Sequence, residues 1–178
     1  MTEQESLVAA IHEEVKLHPY DPAWPSMFLA ERQRLLSLVP GVFIQVEHIG
    51  STAVPGMLSK PVIDLLAGVD SMASANSIAA RICASGYTTS REFNEALVDR
   101  MWFMRWAEGH RTHHLHIVIQ DGNFWHEHLA FRDAVRSSPS LAARYAELKQ
   151  QLAAMHATDR EAYTNAKEEF IRSTLCDA

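Results

Sequence analysis

The stretch PVIDLLAGV, residues 61–69, constrains the fold more than any other part of the chain. Asp64 apart, its side chains are apolar or small at both odd and even positions. A strand that meets water on one side alternates; one covered on both sides reads as a continuous apolar run. The chain must therefore build a layer of structure on each face of this strand. With 178 residues, 47% hydrophobic and 21% charged, it has the length and the composition to do so. The run also poses a chemical question, because an unpaired carboxylate on an inner strand is costly.

The flanking segments supply those layers. ESLVAAIHEEV suggests a short N-terminal helix, and VKL an extended piece after it. HPYDPAWPSMFLAERQRLLSLVPG predicts a turn and then a helix, with Pro22 and Pro25 at its start and Gly41 beyond its end. Phe28, Leu35, Leu36 and Val39 form its apolar stripe. VFIQVEHI predicts a strand with Val42, Ile44, Val46 and His48 on one face. SMASANSIAARICASG predicts a helix capped near Ser71 or Ser74 and stopped by Gly86. LVDRMWFMRWAEGHRTHHLHIVIQDG predicts two strands joined around Gly109. The last third is helical, with breaks at Pro139 and Asp159. A mixed sheet followed by gathered helices is an α+β arrangement.

Chemistry concentrates around Asp64. Gly50, Ser51 and Thr52 form a Gly-Ser turn thirteen positions before it, of a kind that can cradle a phosphate. On the later strand His114 and His116 share a face. One reading places a metal on His48, Asp64 and His116. The other is a hydrogen-bonded network in which His48 neutralises Asp64. His110 and His113 are expected to be solvated in a loop. Lys60, Arg111 and Arg132 are the cations that would serve a polyphosphate, Arg132 foremost because FRDAVR sets it beside an aromatic and an acid. The aromatics Trp24, Trp102, Trp106 and Trp125 are expected as core or half-buried anchors.

The net charge of −6 opposes broad nucleic-acid binding and attraction to anionic membranes. Cys83 and Cys176 match no metal spacing. The start MTEQESL lacks the features of a leader peptide, and no apolar run approaches a membrane span. These points predict a cytoplasmic protein in a reducing compartment, with a homodimer as the default assembly.

A Gly-Ser turn leading to an acid on the next strand resembles the nucleotidyltransferase superfamily, in which the turn holds nucleotide phosphates and the acid holds a divalent metal. That superfamily carries a second acid two residues later, where this chain has Leu66. More specifically, PYDPAWPSMF, EHIGSTAVPGMLSKPVIDLL, RTHHLHIV, HLAFRDAVR, YAELKQQLA and YTNAKEEFI are similar in order and spacing to the GrpB family. This resemblance divides the chain into an extension, residues 1–14, and one domain, residues 15–178. It implies a nucleotidyltransferase-like mixed sheet with helices packed on it and a helical C-terminal third. It carries over His48, Gly50, Ser51, Thr52, Pro55, Gly56, Lys60, Asp64, Arg111, His116, Arg132 and Asp133.

The implied activity is nucleotidyl transfer with Asp64 as catalytic acid, a divalent Mg, Mn or Zn ion as cofactor and a nucleotide or phosphorylated small molecule as partner. The alternatives are a non-catalytic nucleotide- or phosphate-binding module, or an accessory domain that binds a partner protein, as in the folding accessory domains attached to dephospho-CoA kinase.

Overall fold

The computed structural model describes residues 13–107 and 109–176. Most of the helix expected over ESLVAAIHEEV, like most of the extension 1–14, lies outside them, and its last three residues, 13–15, are not helical. Helix α1 (Trp24–Leu38) is followed by strand β1 (Gln45–Ile49), a 3-10 turn over Ser51–Ala53, and strand β2 (Ile63–Val69). Helix α2 (Met72–Ala84) comes next, then strand β3 (Tyr87–Thr88), helix α3 (Arg91–Glu95), and strands β4 (Arg100–Ala107) and β5 (His110–Ile119). The chain closes with helices α4 (Asn123–Ser137), α5 (Pro139–Met155), α6 (Arg160–Asn165) and α7 (Glu168–Cys176). The short β3 and α3 were not foreseen, and β1 begins three residues after Val42. The helix boundaries follow local chemistry. The Ser71 hydroxyl accepts from Ser74 N–H to cap α2, Pro139 opens α5 under a Ser138 cap, and Asp159 caps α6.

The five strands form one mixed sheet in the order β1-β2-β5-β4-β3. β2 and β5 run parallel in the middle, and every other neighbouring pair is antiparallel. The predicted inner strand is thus β2. One face carries Val46, Ile63, Leu65, Ala67, Leu115 and Ile117 against Leu35 of α1, Val39 just past its end, and Ile78 and Ile82 of α2. Each Val, Leu or Ile side chain so taken from water contributes roughly 1.5–3 kcal/mol. The other face sets Leu66, Val118 and Ile49 against Trp125 of α4. Beyond it Val54, Met57, Val135 and Tyr145 form a third apolar group.

α1 is also tied to the far edge of the sheet by a buried carboxylate. Glu31 is 4% exposed. It accepts hydrogen bonds from Arg34 at 2.6 and 2.9 Å, from the Tyr87 hydroxyl at 2.8 Å and from Arg105 at 3.0 Å. Four donors leave it no unmet charge, so it acts as a clamp between helix and strands. His113 packs towards this cluster from β5 and is buried. The expectation of a solvated loop fails there, because the chain is already in the β4–β5 ladder at His110.

Candidate functional site

The β1–β2 register decides which side chains meet Asp64. Ile49 lies opposite Asp64, and His48 opposite Leu65. Side chains of paired residues share a face, so His48 points into the α1 side of the sheet while Asp64 points away from it. His48 stacks on Phe28 with ring centroids 4.7 Å apart. Its Nε2 lies 2.9 Å from Thr52 Oγ1. The Thr52 hydroxyl donates to the Val62 carbonyl, so the His48 ring nitrogen is the donor of the pair. Burial holds this imidazole neutral, with its pKa at about 4. The structure therefore brings His48 neither to a metal shared with Asp64 nor to a hydrogen bond with it.

The histidine that bonds Asp64 is His114, its parallel partner on β5. His114 Nδ1 is 2.9 Å from Asp64 Oδ1, and Arg111 donates to Nε2 at 3.1 Å. Because arginine only donates, Nε2 must accept and Nδ1 carries the proton towards Asp64. Burial is the largest single influence on Asp64 and opposes its ionisation, but the His114 hydrogen bond and the charges of His114, His116 and Lys60 together outweigh it and hold the carboxyl at about 2. The same burial holds His114 at about 4 and His116 at about 3, so both are neutral. His116 shares the Asp64 face, and its buried Nδ1 finds no hydrogen-bond partner among the described residues. The Asp64 side chain is not sealed: 26% of it is exposed.

Gly50 is required by Asp64 itself. It stands at φ +72° and ψ −174°, in a region open to glycine alone. A Cβ there would lie 2.4 Å from Asp64 Oδ2. The rest of the turn faces inward. Thr52 is 1% exposed, and the Ser51 hydroxyl accepts from Lys149 at 2.8 Å. Lys149 is itself buried and also donates to the Leu58 carbonyl. Burial brings its pKa down to about 7. The turn positions Asp64 and anchors α5, and its two hydroxyls are spent on the protein.

Cations gather where the turn does not reach. Lys60, Arg111, Arg160 and Lys167 all feel the charge of Asp64. Burial and the neighbouring Arg160 and Lys167 push Lys60 well below its ordinary value. Burial brings Lys167 to about 8 and Arg111 to about 10. Lys60 and Lys167 lie against the Tyr163 ring, 4.9 and 4.5 Å from its centroid. Among the described residues, the carboxylates whose charge acts on these four cations are Asp64 and Glu13. Arg160 is 7% exposed, and its Nη2 has no partner among the described residues.

Arg132 does not join them. It donates to Glu47 at 2.6 Å and to the His48 carbonyl at 3.0 Å, and its Nε to Asp133 at 2.8 Å, which straps α4 to β1. Arg160 is a member of the group that the sequence did not point to. The available signal was the spacing of Arg160 and Tyr163, three residues apart on one helical face, with Lys167 in the turn that follows.

A resident divalent ion fits this donor set poorly. His48 is on the other face, both His114 nitrogens are engaged, and Leu66, 0% exposed, fills the position of a second acid. The four cations would also repel a dication. Among the described residues no group of three or more His, Cys, Asp or Glu side chains is placed to hold a metal, and none of their helices is long and apolar enough to cross a membrane.

Residues 14–176 match the family model described as GrpB protein. UPF0157 protein YqkA of Bacillus subtilis is 35% identical over 159 residues, which are 89% of this chain and 46% of that protein. A dephospho-CoA kinase of Mycolicibacterium paratuberculosis is 27% identical over 89% of this chain and 44% of its own length. The chain thus spans less than half of each of these curated relatives. The crystal structure of conserved protein GrpB from Enterococcus faecalis superposes with a TM-score of 0.80 at 34% identity, covering 91% of this chain and 96% of that one.

Proposed function

The chain belongs to the GrpB family, and from that footing we propose that it binds a phosphorylated small molecule, a nucleotide foremost, at the cations beside Asp64. The observation that carries this reading is the gathering of four partly buried cations, Lys60, Arg111, Arg160 and Lys167, around Asp64. Holding like charges together out of water costs free energy. A polyanion would relieve it, and the orphaned Arg160 Nη2 offers a donor of the geometry that phosphate oxygens accept. Asp64, a quarter of whose side chain is exposed, is near enough for its charge to act on all four. Binding is the activity this supports best. Nucleotidyl transfer would need a second carboxylate near Asp64, and Leu66 occupies that place within the apolar cluster of Ile49, Val118 and Trp125. A divalent ion enters the reading as a companion of the ligand's phosphates and not as a resident.

Titration calorimetry with ATP and pyrophosphate, with and without Mg²⁺, tests this. Lys60→Ala and Arg160→Ala should each weaken binding by about tenfold or more, the loss of one charged hydrogen bond. Arg132→Ala should leave it unchanged. Equal affinity in wild type, Lys60→Ala and Arg160→Ala would overturn the assignment. A second reading, an accessory domain for a partner enzyme, is favoured by the likeness to part of a dephospho-CoA kinase. It predicts a stable complex with such an enzyme that survives Lys60→Ala.

A further inference from the structure

The cation group already holds one anion of the protein's own. Glu13 lies well before α1, yet its carboxylate reaches Arg160 Nη1 and lies 3.7 Å from Arg111 Nε. Its other oxygen accepts the Arg111 backbone N–H at 3.2 Å. The segment is fastened just beyond it. Val15 N–H donates to the Ala157 carbonyl at 2.8 Å, Val15 packs with Leu152 and Tyr163, and His18 and Ser59 exchange backbone hydrogen bonds at 2.8 and 2.9 Å. So a short strap places one carboxylate on two of the four cations that a ligand would use. Two oxygens on adjacent guanidinium and amide donors are what a phosphate would present there.

Resting on the phosphate-binding reading above, we propose that Glu13 is a built-in competitor, an intrachain carboxylate that occupies the Arg111–Arg160 subsite until a ligand phosphate displaces it. The strap then has two states. In one, Glu13 satisfies the arginines. In the other, a phosphate takes its place, and the Glu13 carboxylate is released to solvent while Val15 and His18 keep their backbone bonds. Binding affinity is set by the difference between phosphate and carboxylate at this subsite. Lys60 and Lys167 are untouched by Glu13, and they supply the charge that favours the more highly charged anion.

The test is calorimetry with pyrophosphate and with ATP on wild type, Glu13→Gln and Glu13→Ala, with the unfolding midpoint of each recorded. Competition predicts that both variants bind pyrophosphate more tightly than wild type, by about fivefold or more. It also predicts that amide exchange at residue 14 rises on adding pyrophosphate to wild type. Binding by the variants alone, with none by wild type, would be the strongest form of the expected result. Variants that keep the wild-type unfolding midpoint and bind no tighter would overturn the competition and leave the phosphate site standing. If either variant unfolds, Glu13→Asp, which keeps the charge on a shorter arm, must still bind more tightly than wild type, or the proposal fails. No binding by wild type or any variant would overturn the phosphate reading itself.

Discussion

Replacing Gly50 by alanine isolates the contact that shapes the Asp64 site. Two costs follow from the geometry. At φ +72° and ψ −174° the backbone of an L-residue carries strain of about 1–3 kcal/mol. In addition, the new Cβ would stand 2.4 Å from Asp64 Oδ2, so the carboxylate must turn away. Turning it breaks the 2.9 Å bond to His114, and a hydrogen bond to a charged group contributes about 1.5–3 kcal/mol. Because the Asp64 side chain is a quarter exposed and water can replace part of that bond, the lower half of the combined range applies, about 3 kcal/mol. Urea unfolding of Gly50→Ala, Asp64→Ala and the double variant measures it. The double variant removes the clash and keeps the backbone strain, so the two substitutions should cost less together than the sum of each alone. A Gly50→Ala protein within about 0.5 kcal/mol of wild type would show that the backbone does not need glycine here, and the reasoning would fail.

Acid should unfold the protein early. His48, His114 and His116 have folded-state pKa values of about 4, 4 and 3, below the ordinary 6.5. A depressed value means that the unfolded chain takes the proton first, so the stability they contribute is full above pH 6.5 and is lost as pH falls towards 4. Three such groups give a slope of up to about 4 kcal/mol per pH unit. Asp64, held at about 2 against 3.8, extends the loss in the same direction below pH 3.8. Urea midpoints that stay flat between pH 6.5 and 4.5 would refute this. Leu66→Asp should not restore a two-acid site. It would place a carboxylate in a fully buried apolar cluster and cost at least about 3 kcal/mol, read as a fall in the urea midpoint.

Much of the architecture was legible because it rests on periodicity. The two-sided apolar run of β2 predicted an inner strand, and the alternation in RTHHLHIV put His114 and His116 on one face, as found. The site was less legible for reasons of pairing. Val46 and His48 do share a face, as their spacing required. But β2 is apolar at both parities, so nothing local told which set His48 would join, and the register joined it to Leu65. Arg132 was favoured for its neighbours in sequence, whereas its partners Glu47 and the His48 carbonyl lie more than eighty residues away. The cations that do converge come from the strand-leading loop, from β5, from α6 and from the turn between α6 and α7. No window of sequence contains them together.

The parallel β2–β5 pairing also sets a timetable for synthesis. Asp64 meets its hydrogen-bond partner fifty residues further along the chain, and the Arg160 side chain comes nearly a hundred after it. While the ribosome is extending the chain through β4, the aspartate stands on an unfinished sheet edge with nothing to pair it. Closing such long loops is slow relative to helix and hairpin formation. The centre of the protein is therefore among the last parts to be completed, and a nascent chain stalled before residue 114 would expose the apolar edge of β2 to chaperones or to other chains.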